Sequence, residues 1–281
     1  MELFKQITPL KAFLKDFRCR GKSIGLVPTM GALHAGHISL IEASKAENHL
    51  TISSIFVNPA QFNNPADLLK YPRSIEKDIE LLKSTGCDVL FSPETEEMYP
   101  GQATVSMDFG NLDKVMEGKF RPGHFSGVAL VVSKLFNIVQ PDRAYFGQKD
   151  WQQFTIIREL TEELNFNVDL RSVATSREDD GLARSSRNLR LKPELRKHAN
   201  VFFKCLVEAR AALKNGVDVA AVRQHVREVL EPLPHVRLEY FEVADSKNLI
   251  LLENVEQSNS PILCIAGYVG DVRLIDNMFL E

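Results

Sequence analysis

Short β-branched runs alternate with amphipathic helical patterns along the first 175 residues, and this alternation restricts the chain to a parallel sheet with helices on its faces. Residues 23–27, Ser-Ile-Gly-Leu-Val, read as a buried strand that Pro28-Thr29-Met30-Gly31 is expected to break. A helical pattern follows, with Leu33, Ile38, Leu40 and Ile41 as its apolar positions, and Thr51 to Val57 is the next strand. That is one βαβ unit, whose crossover is right-handed. The pattern recurs. Ser74 can cap a helix carrying Ile75, Ile79 and Leu82, Gly86 can end it, and Cys87 to Phe91 is a strand. Val128 to Val139 reads as a largely buried helix stopped by Pro141, followed by a strand at Ala144 to Phe146, a helix from Trp151 to Leu164 and a strand from Val168 to Ala174. The expected fold is α/β, with a Rossmann-like doubly wound parallel sheet.

The pattern changes near residue 175. Ser176 to Asn188 is polar and aperiodic, as at a domain junction. Two helical patterns (about 193–214 and 218–230) precede strand-like runs at Arg237 to Val243, Ile262 to Val269 and Val272 to Phe279, and Gly270-Asp271 suits a tight hairpin between the last two. The expected division is a domain of residues 1–175 and a smaller C-terminal α+β domain of residues 176–281.

A formal net charge of −3 supplies no global attraction to nucleic acid or to an anionic membrane, so an anion site must be local. No apolar run approaches the roughly 20 residues of a membrane helix, and the N-terminus, Met-Glu-Leu-Phe-Lys-Gln, lacks a signal-peptide core. A cytoplasmic location is expected. The four cysteines form no zinc pattern; Cys87, Cys205 and Cys264 sit in apolar runs and are expected to be buried thiols.

Five segments carry candidate chemistry. Pro28-Thr-Met30-Gly31-Ala32-Leu33-His34-Ala35-Gly36-His37 lies where a parallel strand passes into a helix. Helix-start amides attract phosphate, the glycines admit a nucleotide close to the backbone, and two imidazoles three residues apart can donate to phosphate oxygens. Asn58-Pro59-Ala60-Gln61, after the second strand, offers neutral amides for a hydroxylated or carboxylate substrate, although Asn-Pro also starts ordinary turns. Glu117 to Gly127 contains Arg121 and His124 and suits a lid or a phosphate-facing loop. Gly147-Gln148-Lys149-Asp150 opens another helix, with Gln153 one turn beyond. Arg184-Ser185-Ser186-Arg187 suits phosphate clamping, or else a solvated basic linker. A P-loop and a Gly-x-Gly-x-x-Gly fingerprint are both missing, which weighs against kinase and dehydrogenase readings.

In order, these segments resemble a known set. His34-x-Gly-His37 is similar to the first signature of the nucleotidyltransferase superfamily, and Arg184-Ser-Ser-Arg187 to a degenerate form of the second. With Phe56-Val-Asn-Pro59, Tyr71-Pro-Arg73, Arg121-Pro-Gly-His124-Phe, Lys134-Leu-Phe-Asn137 and Lys149-Asp150, the chain resembles the pantothenate synthetase (pantoate–β-alanine ligase) family over residues 20–190. The resemblance implies that pantoate attacks the α-phosphate of ATP and that β-alanine then displaces AMP from pantoyl adenylate. It implies an ATP site at Met30 to His37, Gly147 to Asp150, Ser176 and Arg184 to Arg187, with His34, His37, Lys149 and Arg187 in the chemistry. It implies substrate contacts at Gln61, Gln153, Asn58, Arg121 and His124, magnesium near Asp78, and a homodimer. Gln148, Ser176, Arg184 and Leu130 depart from the family's usual residues. The chemistry is coherent with a chain that shows no Ser-His-Asp or Cys-His arrangement: adenylation supplies the leaving group, and the enzyme positions reactants and stabilises phosphate charge. A nucleotidyltransferase acting on a phosphorylated substrate is the alternative, and a non-catalytic nucleotide-binding regulator ranks behind both.

Overall fold

The computed structural model describes residues 1–63 and 65–281, with the side chains of 65 and 66 excluded; Asn64, in the polar 60–73 segment, lies outside the described residues. In chain order the elements are β1 (Glu2–Phe4), α1 (Ile7–Cys19), β2 (Ile24–Thr29), α2 (Ala35–Glu47), β3 (Leu50–Ile55), α3 (Pro65–Leu69), α4 (Ile75–Ser84), β4 (Val89–Phe91), α5 (Thr95–Met98), α6 (Met116–Phe120), α7 (His124–Val139), β5 (Arg143–Gly147), α8 (Trp151–Glu163) and β6 (Asp169–Val173). They continue with α9 (Pro193–Arg196), α10 (Val201–Lys214), α11 (Val219–Leu230), β7 (Val236–Asp245), β8 (Pro261–Val269) and β9 (Val272–Phe279).

Two compact units emerge. The first holds residues 1–109, 121–148 and 156–174; the second holds 110–120, 149–155 and 175–281.

In the first unit all strand pairs are parallel, in the order β1-β4-β3-β2-β5-β6. The chain steps outward from β2 through β3 to β4, then returns to the other side of β2 as β5. The order therefore reverses between β2 and β5, which is where such sheets bind ligands. On one face Leu40 and Ile41 of α2 and Leu82 of α4 pack against Val27, Ile55, Leu90 and Tyr145. On the other lies α7, buried along most of its length as its largely apolar sequence requires. Gly127 of α7 meets the 58–61 turn so closely that a Cβ there would strike the Ala60 carbonyl.

Pro28, expected to break the strand read at residues 23–27, lies inside β2. The Thr29 carbonyl accepts from Phe56 N on the β3 side, which turns the backbone of Pro28 toward β5. Pairing with β5 has already ended, being limited to Gly25 and Leu26. Proline is tolerated where no ladder bond is lost, and here it stands where β2 and β5 stop pairing, at the reversal point.

In the second unit β7, β8 and β9 form an antiparallel sheet, with Gly270-Asp271 closing the β8–β9 hairpin and Gly270 at positive φ (58°). Phe202, Leu206 and Leu213 of α10 and Val222, Val226 and Leu230 of α11 bury against Phe241, Val243, Leu263, Ile265 and Leu274. Each such side chain contributes about 1.5–3 kcal/mol. The helical pattern read over 193–214 is two helices, because the four residues between α9 and α10 leave the regular helix. The short β1 and the helix α1 carried no distinct sequence signal. No described helix is long and apolar enough to cross a membrane.

Cys87, Cys205 and Cys264 are buried and Cys19 is exposed. Burial pushes the Cys87 and Cys205 thiols up to about 11 and Cys264 higher still. A thiolate-directed reagent at pH 7.5 is therefore expected to label Cys19 alone in the native protein and all four cysteines in denaturant; rapid native labelling of a second cysteine, read by mass spectrometry, would contradict this core.

Candidate active site

In the first unit, the segment leaving β2 turns sharply at Gly31, with φ of 81°, and at Ala32, with φ of 50°. A Cβ on Gly31 would lie 3.0 Å from Asp78 Oδ2 and 3.1 Å from Ile55, so only glycine fits without displacement. Asp78, on the first turn of α4 and 3% exposed, holds this turn: Oδ2 accepts from Ala32 N and Oδ1 from Leu33 N, both at 2.8 Å. Ser74 Oγ adds a longer bond to Oδ1 at 3.3 Å, so Ser74 serves Asp78 rather than capping α4 with its side chain.

Asp78 is the residue expected near magnesium. Magnesium needs near-octahedral oxygen ligands from an open donor set. Both Asp78 oxygens face main-chain amides, and among the described residues no group of three or more His, Cys, Asp and Glu side chains could hold a metal ion. The donor set fits a turn anchor, not a resident metal site.

The two histidines form the start of α2. His34 is the N-cap, in extended conformation (φ −145°, ψ 176°), and its Nδ1 accepts from Gly36 N at 3.1 Å. His37 reaches back, its Nδ1 accepting from His34 N at 3.2 Å. This is a reciprocal capping box built from imidazoles, with ring centroids 4.1 Å apart. It also sets the tautomer. A ring nitrogen that accepts a main-chain N–H carries no proton, so each neutral ring holds its proton on Nε2 and presents an N–H donor there. The caps thus turn both histidines into hydrogen-bond donors at a helix N-terminus, beside the reversal point.

Gln61 ends a one-turn 3₁₀ segment, Pro59–Gln61, capped by Asn58. Asn58 is buried: its Nδ2 donates to Gln61 Oε1 at 3.1 Å and to Gly127 O at 3.0 Å, and its Oδ1 accepts from Tyr99 OH at 2.9 Å. Gln61 Nε2 is left with the Met30 thioether, a weak acceptor, at 3.1 Å. The network therefore assigns the Gln61 amide as a donor toward an incoming acceptor. His124, 4% exposed, supports it from behind: Nδ1 donates to Gln61 O at 2.8 Å, while Nε2 accepts from Arg121 Nη1 at 3.0 Å. Met30, Asn58, Gln61, Arg121 and His124 are thus brought into one cluster. Tyr99, which no motif marked, completes it.

Of the remaining expected residues, Gly147 and Gln148 end a stretch of the first unit, and Lys149, Asp150, Gln153, Ser176 and Arg184 to Arg187 belong to the second. Lys149 Nζ lies 3.4 Å from Asp150 Oδ1, with the lysine side chain only 13% exposed. Gln152 is buried and stitches this segment to 112–117, donating to Leu112 O (2.7 Å) and Val115 O (2.9 Å) and accepting from Glu117 N (3.0 Å). The half-buried Gln153 side chain makes no hydrogen bond among the described residues, which leaves its amide available. The 176–188 segment is a cross-linked hairpin. Arg184 N donates to Ser176 O, Arg177 bridges to Ala183, Arg196 grips Glu178 and Asp180, and Ser185 Oγ accepts from Arg187 N at 3.3 Å. The Arg196 guanidinium holds the Asp180 carboxyl below its ordinary value. Ser186 is buried.

The model of a family described as pantoate-beta-alanine ligase matches residues 2–279. The chain belongs to that family. Pantothenate synthetase from Porphyromonas gingivalis is 47% identical over 281 residues, the full length of both chains. The crystal structure of pantothenate synthetase from Thermus thermophilus superposes with a TM-score of 0.93 at 41% identity, covering all of both chains. A pantoate–β-alanine ligase from Francisella tularensis, solved in complex with beta-gamma ATP and β-alanine, superposes with a TM-score of 0.80 at 33% identity, covering all of this chain and 98% of that one.

The double role of His34, as cap and as donor, separates in two variants. Asparagine is a good N-cap, so His34→Asn is expected to keep stability within about 0.5 kcal/mol, whereas His34→Ala loses about 0.5–2 kcal/mol. Equal stability of the two variants in urea titrations would show that the His34 ring does not cap α2.

Proposed function

We propose that the chain condenses pantoate with β-alanine at the expense of ATP, releasing AMP and pyrophosphate. Family membership supports this reading. So does one observation above the rest: two imidazoles locked as Nε2–H donors at a helix N-terminus, in the same unit as an amide donor, Gln61, that lacks a strong acceptor. In the first step a pantoate carboxylate oxygen attacks the α-phosphorus of ATP. A P–O bond forms, the bond to the bridging oxygen breaks, and pyrophosphate leaves. His34 and His37 donate to oxygens on which charge builds in that transition state, and Lys149 and Arg187 oppose phosphate charge. Gln61 and Gln153 orient pantoate; Asn58, His124 and Arg121 hold Gln61. In the second step the β-alanine nitrogen attacks the acyl carbon, AMP leaves with the C–O bond electrons, and the ammonium loses a proton to water. No residue is covalently modified. Positioning alone is worth roughly 7–11 kcal/mol of the barrier.

Met30 to His37, Gly147 to Asp150, Ser176 and Arg184 to Arg187 make up the ATP site in this reading. Magnesium enters on the ATP phosphates, as part of the substrate. Residues 1–175 carry ATP and pantoate, residues 176–281 act as the lid, and the working form is a cytoplasmic homodimer.

The test is AMP and pyrophosphate release with magnesium–ATP and pantoate, with and without β-alanine. Sustained AMP formation requiring both acids is expected, with a loss of about 10²–10³ in kcat for His37→Ala. Pyrophosphate release with the nucleotide retained on the product, and no dependence on amine, would instead favour a nucleotidyltransferase acting on a phosphorylated substrate.

A further inference from the structure

The last strand carries two buried polar residues in succession, Asp276 and Asn277, each 6% exposed. Neighbouring strand residues point to opposite faces, and these two hold different segments of the second unit. Asp276 takes a bidentate bond from Arg177, Nη1 to Oδ2 at 2.7 Å and Nη2 to Oδ1 at 3.0 Å. The same guanidinium donates to Gly181 O at 3.0 Å and lies 4.5 Å from the centre of the Phe203 ring. Gly181, with φ of 90°, leaves no room for a Cβ against that ring. Arg177 therefore closes the 177–183 hairpin onto β9. Asn277 Nδ2 donates to Lys149 O at 2.7 Å. The 149–155 segment gains a second attachment through Trp151, whose Nε1 donates to Ser246 O at 2.9 Å and whose ring meets Phe279 edge-on at 4.8 Å. Burial pushes the Asp276 carboxyl above its ordinary value, while the charges of Arg177 and Lys149 pull the other way.

We propose that Asp276 and Asn277 are positioning residues for ATP: they reference Lys149 and the hairpin leading to Arg184–Arg187 to one rigid strand, so that the cations meeting phosphate are held in a common register. This rests on the assignment of Lys149 and Arg187 to ATP in the proposed function. Neither residue touches the reacting atoms. Asn277 acts on Lys149 through its carbonyl, which moves the ammonium without altering its charge, and Asp276 acts on the hairpin through Arg177. A purely structural pin would make the same bonds, but its loss would fall on stability alone.

The single tryptophan of the chain, Trp151, stands two residues from Lys149, so its emission can report ATP binding directly. Asn277→Asp keeps the shape and places an acceptor against the Lys149 carbonyl; Asn277→Ser restores a donor in a smaller side chain. For the aspartate variant the expected result is a weaker ATP Kd and a slower adenylation half-reaction, by roughly ten- to a hundredfold. Attack of β-alanine on supplied pantoyl adenylate, and the KM for pantoate, should stay near wild type, and the serine variant should recover part of the loss. Asp276→Asn, which keeps an acceptor for Arg177 but removes the charge, should move the same ATP parameters. Variants that melt earlier yet keep the wild-type ATP Kd and adenylation rate per folded molecule, or that lose both half-reactions equally, would overturn the positioning role while the proposed function stands. A wild-type chain that binds no ATP would overturn both.

Discussion

A buried carboxylate that accepts two consecutive main-chain amides governs the geometry at the end of β2. Asp78 takes Ala32 N and Leu33 N at 2.8 Å each. Those donors belong to a backbone with two positive-φ residues in succession, Gly31 and Ala32, which needs outside support to persist. An anion bound by fixed amides is a strong constraint, because either partner alone would be left buried and unsatisfied. The placement of His34, the start of α2 and the position of Met30 beside Gln61 all follow from that turn. Pro28 contributes from the other side, standing where β2 has ceased to pair with β5.

On that base each histidine caps through one ring nitrogen and keeps a second nitrogen on the same ring. Capping uses Nδ1, and capping therefore makes Nε2–H the ring's donor. The usual capping residues, serine, threonine or aspartate, would satisfy the helix equally well, but they offer no N–H donor set apart from the capping atom. An imidazole has a second nitrogen on the far edge of a rigid ring. The same economy recurs at Gln61, whose oxygen is held by Asn58 so that its nitrogen is the group on offer, and at His124, whose Nδ1–H is fixed on Gln61 O because Arg121 occupies Nε2.

The second unit solves a different problem. Lys149 and Arg187 lie on short 3₁₀ segments, Gln148–Asp150 and Ser186–Arg190, and Ser176 lies on irregular chain, and short polar segments of that kind stay in place only if their backbone groups are satisfied. Arg177 and Gln152 do this from within the segments, Asn277 of β9 does it from outside, and Arg196 adds a clamp on the carboxylates of Glu178 and Asp180. Gln152 and Asn277 are both buried amides whose nitrogens bond main-chain carbonyls.

The sequence by itself determined the parallel α/β sheet, the antiparallel C-terminal hairpin, the buried cysteines and the segments proposed to carry the chemistry. Periodicity, β-branching and turn residues are local properties, and they act over the same few residues in which a strand or helix forms. Helix ends were less legible: His34 and His37 read as two rings on one face, whereas one is the cap and the other closes back on it. Decided only by tertiary structure were Asp78 anchoring a turn 45 residues away, Pro28 persisting inside a strand, Tyr99 orienting Asn58, and Asp276 and Asn277 reaching Arg177 and Lys149. In each case but the proline a buried polar atom must find a partner, and that partner comes from a distant part of the chain brought near by the fold; Pro28 depends in the same way on which neighbouring strand has stopped pairing. No local pattern encodes the pairing, because the requirement is set by burial, which exists only once the chain has folded.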